Sequence, residues 1–124
     1  MSQLLAIGIG GGLGSVARFG MSTWIYSILG RNFPYGTFLV NITGCIAIGF
    51  LFVVFTDIFS NNTVLRAAVL IGVLGGYTTF SSFSIEAFNL IEQGELFKSL
   101  TYMIGSVVVG LFGTWVGVVI GRLL

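Results

Sequence analysis

No histidine occurs in this chain of 124 residues, and cysteine and proline each occur once. With no histidine and with Cys45 alone, neither a zinc-type ligand set nor an internal disulfide can be assembled. Charge is almost as scarce. Five Lys/Arg and four Asp/Glu make up 7% of the residues and leave a net charge of +1. A water-facing domain usually carries about 25% charged residues, so this chain cannot clothe a surface in water. The near-neutral balance leaves no basic footprint for nucleic acid. An enzyme is excluded on similar grounds, since there is no activated nucleophile and no carboxylate pair.

What is abundant is apolar. Hydrophobic residues make up 56% of the sequence, and the mean hydropathy is +1.06. Three stretches carry no charge, Asn32 to Thr56, Ala67 to Ile85 and Ser99 to Gly121, and each has 19 or more residues. About 20 apolar residues cross a bilayer core. A fourth stretch, Leu4 to Ile28, is long enough but holds Arg18. The expected fold is therefore an all-α membrane protein of four transmembrane helices, at about 4–28, 36–56, 64–91 and 97–122, forming a single domain over 1–124. Asn62 or Thr63 is the expected N-cap of the third helix. The N-terminal segment lacks the basic start of a signal peptide and should be retained. Cys45, inside the second stretch, reads as a small packing residue.

Glycine supplies the expected contacts between helices. Small residues recur at spacing four in Gly8/Gly12, Gly10/Gly14, Gly72/Gly76 and Gly113/Gly117/Gly121, and such faces let helices approach closely in lipid. Gly12 to Ala17 also fits a loose dinucleotide fingerprint. No strand precedes it and no acidic residue follows at the right distance, so helix packing is the better reading.

Polar groups in hydrocarbon need a partner, a cavity or a function. Asn41 is the only amide of the second span; it either donates to an anion or holds helices together. In the third span, Gly75-Gly76-Tyr77-Thr78-Thr79-Phe80-Ser81-Ser82-Phe83-Ser84 weakens a helix with paired glycines and clustered hydroxyl residues. The expectation is a break mid-membrane, unwound near Gly75–Thr79, with a new helical segment from about Thr79. Such breaks offer carbonyls to cations and helix N-termini to anions. In the fourth span Tyr102, Ser106, Gly110 and Thr114 share one stripe, which fits either a hydroxyl track or a packing seam. Arg18 is too deep for easy snorkelling, so it faces either an anion vestibule or a salt bridge. Glu86 is near enough to a helix end to reach water.

Phe33-Pro34-Tyr35-Gly36-Thr37-Phe38-Leu39-Val40-Asn41, the GxxxR of Gly14 to Arg18, and Gly72 to Glu86 with its GGxTTFSxFSxE run resemble the signatures of the Fluc fluoride channels, also called CrcB-type proteins. The match extends over essentially the whole chain. The resemblance implies a fluoride-selective channel of the cell's inner (plasma) membrane, passively exporting fluoride through two pores of an antiparallel, dual-topology homodimer in the lipid bilayer. It further implies one structural sodium ion, held by the backbone carbonyls of Gly75 and Thr78. Phe80 and Phe83 would line the pores, with Asn41, Ser81, Ser82, Tyr102, Ser106 and Thr114 as polar contacts, and Arg18 and Glu86 near the mouths. Family members often have Thr at the position of Ser82, and some have Ser at that of Gly110, so the hydroxyl track of the fourth helix is one group shorter here. A small multidrug-type exporter is the alternative of similar length, but it needs a carboxylate in the first helix, where this chain has Arg18 and no acid.

Lys/Arg bias between the two sides normally orients a membrane protein. Here Arg66 and Arg122 lie on one side and Arg31 and Lys98 on the other. Balanced counts fit insertion both ways, or one orientation set by the cell in another manner. The first reading leads to an antiparallel two-fold dimer. C-terminal fusions to compartment-specific reporters are then expected to be active on both sides of the membrane; a signal from one side alone contradicts dual insertion.

Overall fold

The computed structural model describes residues 2–124, which are entirely helical apart from short connections. The elements are α1 (Ser2–Leu29), α2 (Tyr35–Asp57), α3 (Thr63–Arg66), a π-helical segment (Ala67–Val73), α4 (Leu74–Tyr77), α5 (Phe80–Glu92) and α6 (Leu96–Arg122). The third span, Thr63–Glu92, thus contains three α pieces and one π piece. Each of the four spans starts and ends within two residues of its sequence-based range. Even the 23 residues of α2 reach about 34 Å at 1.5 Å per residue, enough for a bilayer core. The chain is a multi-pass membrane protein.

The connections follow from their residues. Gly30 ends α1 with φ +80°, a left-handed conformation that glycine adopts without a Cβ clash. Pro34 precedes α2 and accepts the Phe38 N–H through its carbonyl at 3.0 Å. Asn62 caps α3 by accepting the Leu65 N–H at 3.0 Å. Gly94, with φ +79°, turns the chain from α5 towards α6.

Glycine decides which spans pair. A Cβ at Gly14 would collide with the Val73 carbonyl, one at Gly10 with the Ala68 carbonyl, and one at Gly76 with the Gly11 carbonyl. Helix α1 therefore packs backbone to backbone on the third span. Across the molecule, Gly49 of α2 faces the Thr114 carbonyl, and Gly117 of α6 faces the Ile46 carbonyl, so α2 and α6 form the second close pair. The third seam joins α5 to α6, where the fully buried Ser99 donates its hydroxyl to the Ala87 carbonyl at 2.8 Å.

Two expectations require correction. Gly8 and Gly12 pack on nothing: no atom lies within 4 Å of a Cβ at either position. Successive helical residues turn by about 100°, so this pair points away from the neighbour that Gly10 and Gly14 meet. Gly75 and Gly76 remain helical, and the break falls at Thr78 and Thr79, whose backbones are extended (ψ 157° and 117°). Of the pair, Gly76 serves close approach to α1, while Gly75 faces open space. The π segment, in which the Leu74 N–H reaches back five residues to the Val69 carbonyl, carries the Ala68 and Val73 carbonyls that meet Gly10 and Gly14.

Gly14→Ala and Gly117→Ala should each destabilise the folded protein by about 1–3 kcal/mol, the usual range for overpacking. Gly20→Ala, where no atom lies within 4 Å, should leave it unchanged or slightly firmer. Thermal midpoints in detergent measure the difference.

Candidate functional site

The break in the third span is held by one side chain. Asn41 of α2 accepts the Thr79 N–H through Oδ1 at 2.8 Å and donates Nδ2–H to the Thr79 carbonyl at 3.0 Å. The amide thus treats Thr79 as a neighbouring strand would, which suits its extended backbone (φ −149°). This is the answer to where the interrupted helix sends its backbone groups, a question that admits no loose ends in hydrocarbon. Thr79 also restarts the helix, since its Oγ1 accepts the Ser82 N–H at 3.1 Å. Thr78 closes the preceding piece: its N–H and its hydroxyl both donate to the Leu74 carbonyl, at 3.0 Å and 2.9 Å.

Around this break lies a cavity of about 390 Å³ lined by Asn41, Cys45, Gly75, Thr78, Thr79, Phe80, Phe83 and Ser106, among others. The Phe80 and Phe83 rings stand 5.6 Å apart at 35°. Phe80 is 78% exposed on the single chain, so the cavity is open at that rim. Cys45, expected as a buried packing residue, is half-buried on this wall, where it lines the cavity. A Cβ at Gly110 would sit 3.4 Å from the Cys45 sulfur.

Phe83 leads to a second polar group. Its ring is 5.0 Å from that of Tyr102, which is completely buried. Beyond it lies Glu86, whose Oε2 accepts the Tyr26 hydroxyl at 3.1 Å and the Thr37 hydroxyl at 3.0 Å. The carboxylate is therefore held by α1 and α2 and does not simply extend into water. The Arg31 guanidinium lies 4.4 Å from the Tyr26 ring centroid. A cavity of about 200 Å³ opens beside this cluster towards Asn32, Asn89 and Gln93. Glu86 Oε1, the Tyr102 hydroxyl and Ser106 Oγ are all buried without a hydrogen-bond partner among the described residues.

The structure thus brings Asn41, Gly75, Thr78, Phe80, Phe83 and Ser106 to one cavity, and Glu86 and Tyr102 to a neighbouring cluster. Ser82 lies at the start of α5 and is half-buried, while Ser81 is exposed with its Oγ 3.5 Å from Thr79 Oγ1. Arg18 and Thr114 line neither cavity. Arg18 is half-buried on α1 one turn past Gly14, and the Thr114 carbonyl forms part of the seam with Gly49. Three contributors escaped the sequence reading: Tyr26, Thr37 and the double role of Thr79. The Thr79-to-Ser82 spacing is a helix-cap pattern and was legible in principle. Tyr26 and Thr37 carry no such local signature, since their partner Glu86 is 60 and 49 residues away.

Residues 5–118 match the family described as CrcB-like protein, Camphor Resistance (CrcB). A protein of Coxiella burnetii (strain Dugway 5J108-111) named fluoride-specific ion channel FluC is 50% identical over 97% of this chain and 98% of its own length. The proteins of that name from Geotalea daltonii and Aquifex aeolicus are 44% and 40% identical, each over 98% of both chains. A shared pattern of this extent, over four spans and the broken third helix, makes this chain a member of the CrcB family.

Proposed function

We propose that this chain is a fluoride-selective channel, which conducts fluoride passively across the membrane when two copies assemble antiparallel. The observation that carries this reading is that the break, the Asn41 amide and the Phe80–Phe83 pair open into one cavity within the spans. The names borne by relatives of up to 50% identity supply the ion.

The local chemistry suits a small anion. Helix α5 points its N-terminus at the break, and helix N-termini carry partial positive charge. Phe ring edges are also positive, so they can face an anion without a formal charge that would trap it. Conduction demands this balance of dehydration and release. From the cavity, Ser106 and Tyr102 lead along α6 towards Glu86. Their buried, unpartnered oxygens are a polar path for an ion to follow, with Ser81, Ser82 and Thr114 as further contacts and Arg18 near the opposite mouth. A cavity of about 390 Å³ is far wider than one fluoride ion, and a second copy seated at the Phe80 rim would narrow it to two such paths per dimer.

A structural sodium ion fits the same break. The Thr79 N–H, which would close the next helical turn on the Gly75 carbonyl, is engaged by Asn41 instead. That leaves a carbonyl oxygen free at the C-terminal end of α4, where partial negative charge collects. Thr78 is extended, so its carbonyl also leaves the helical ladder. Neutral oxygen donors suit a hard alkali cation. Bound there, sodium would supply fixed positive charge between the helix ends and join two chains.

Fluoride efflux from liposomes containing the purified protein, read by a fluoride electrode, is the direct test, and chloride loading should give no comparable flux. Phe80→Ile and Phe83→Ile should each reduce efflux about tenfold or more while the dimer stays intact by size. Asn41→Asp should also block it, because an ionised carboxylate repels the anion. Near-native efflux in both Phe variants would return the rings to simple packing. For the cation, Thr78→Ser should be mild because a backbone ligand survives, whereas Gly75→Leu should abolish flux or dimerisation. Equal tolerance of Leu and Gly at position 75 would contradict the sodium assignment.

A further inference from the structure

The Asn41 amide holds the backbone beside which both proposed ion sites lie. In an unbroken helix the Thr79 N–H closes on the Gly75 carbonyl, four residues back. Here that donor is taken by Asn41 Oδ1 at 2.8 Å, while Nδ2 secures the Thr79 carbonyl at 3.0 Å. The Leu74 carbonyl, one residue earlier, is satisfied twice over by Thr78. The first carbonyl to lose its helical partner is therefore that of Gly75. It loses it to a side chain on another helix, not to any local turn. No atom lies within 4 Å of a Cβ built at Gly75, so the surrounding space is open.

We infer that Asn41 is the positioning residue of the cation site: by capturing the Thr79 N–H it keeps the Gly75 carbonyl available to sodium, and so couples the cation site to the anion path. The inference rests on the sodium reading above and assigns its origin to a residue otherwise placed on the fluoride side. Asn41 touches the cavity with the same amide. Of its two N–H bonds one is committed to Thr79, which leaves one for an anion. The clamp is the larger part of what the side chain does. Without Oδ1, the Thr79 N–H has a ready acceptor in Gly75, α4 lengthens by one hydrogen bond, and the carbonyl that would bind the cation is spent internally.

The variants divide cleanly. Asn41→Leu removes the acceptor at similar size, whereas Asn41→Asp keeps an oxygen for the Thr79 N–H and gives up only the bond to the Thr79 carbonyl. The experiment is the thermal midpoint of the purified dimer titrated with sodium chloride against N-methylglucamine chloride at constant ionic strength. The native protein should be stabilised selectively by sodium. Asn41→Leu should need about tenfold more sodium for the same shift, the effect of one competing hydrogen bond. Asn41→Asp should respond within about threefold of native although its fluoride flux is lost. A native sodium response in Asn41→Leu, or its loss in Asn41→Asp, overturns the inference and leaves the sodium reading intact. Indifference of the native protein to sodium overturns both.

Discussion

Everything distinctive in this molecule depends on one reciprocal contact, the two hydrogen bonds between the Asn41 amide and the Thr79 backbone. A bilayer offers no water to an interrupted helix, and an unpaired backbone group there costs several kcal/mol. A break is tolerated only where something replaces the lost partners. Asn is suited to that task because its side chain repeats the chemistry of a peptide unit, one carbonyl and one amino group. With Thr79 pinned, Thr78 is free to extend, α5 is free to start afresh, and the two helix ends meet the same cavity with opposite polarity.

The remaining architecture keeps that contact in register. Glycines bring α1 against the third span and α2 against α6 at backbone distance, in a setting where lipid gives apolar side chains no reason to seek one another. Close approach fixes the position of α2, hence of Asn41, and of α4, hence of Thr79. Farther along α2, Thr37 meets Glu86 four residues from Asn41. The same helix thus supplies side chains to both the break and the carboxylate cluster.

Much of this was legible in the amino-acid sequence, and the failures have a common cause. Span number and limits follow from runs of apolar residues, which report on the bilayer and need no tertiary information. The existence of a break was readable from Gly75 to Ser84, because helix propensity is local. Its location was readable to within one turn, Gly75–Thr79; the pairing of Thr79 with Asn41 sets it at the end of that turn, past Gly75 and Gly76. Glycine spacing revealed which faces are capable of close packing, yet it gave Gly8/Gly12 the same weight as Gly10/Gly14. Only the position of a neighbour tells the two faces apart. Tyr26 and Thr37 went unnoticed for the same reason: each acquires meaning from a carboxylate brought from a distant part of the chain.

The pairing of first span with third and second with fourth has a consequence for how the protein is made. Helices leave the ribosome in order, but neither α1 nor α2 has its principal glycine-mediated partner as its immediate successor. The first hairpin must wait in the membrane with its backbone grooves uncovered, and Asn41 must wait for a residue synthesised 38 positions later. An asparagine stranded in lipid for that interval will accept whatever polar group comes by, including the backbone of another nascent chain. The arrival of the third span therefore gives Asn41 the backbone partner it holds in the folded chain, and α6 covers the glycine face of α2 last.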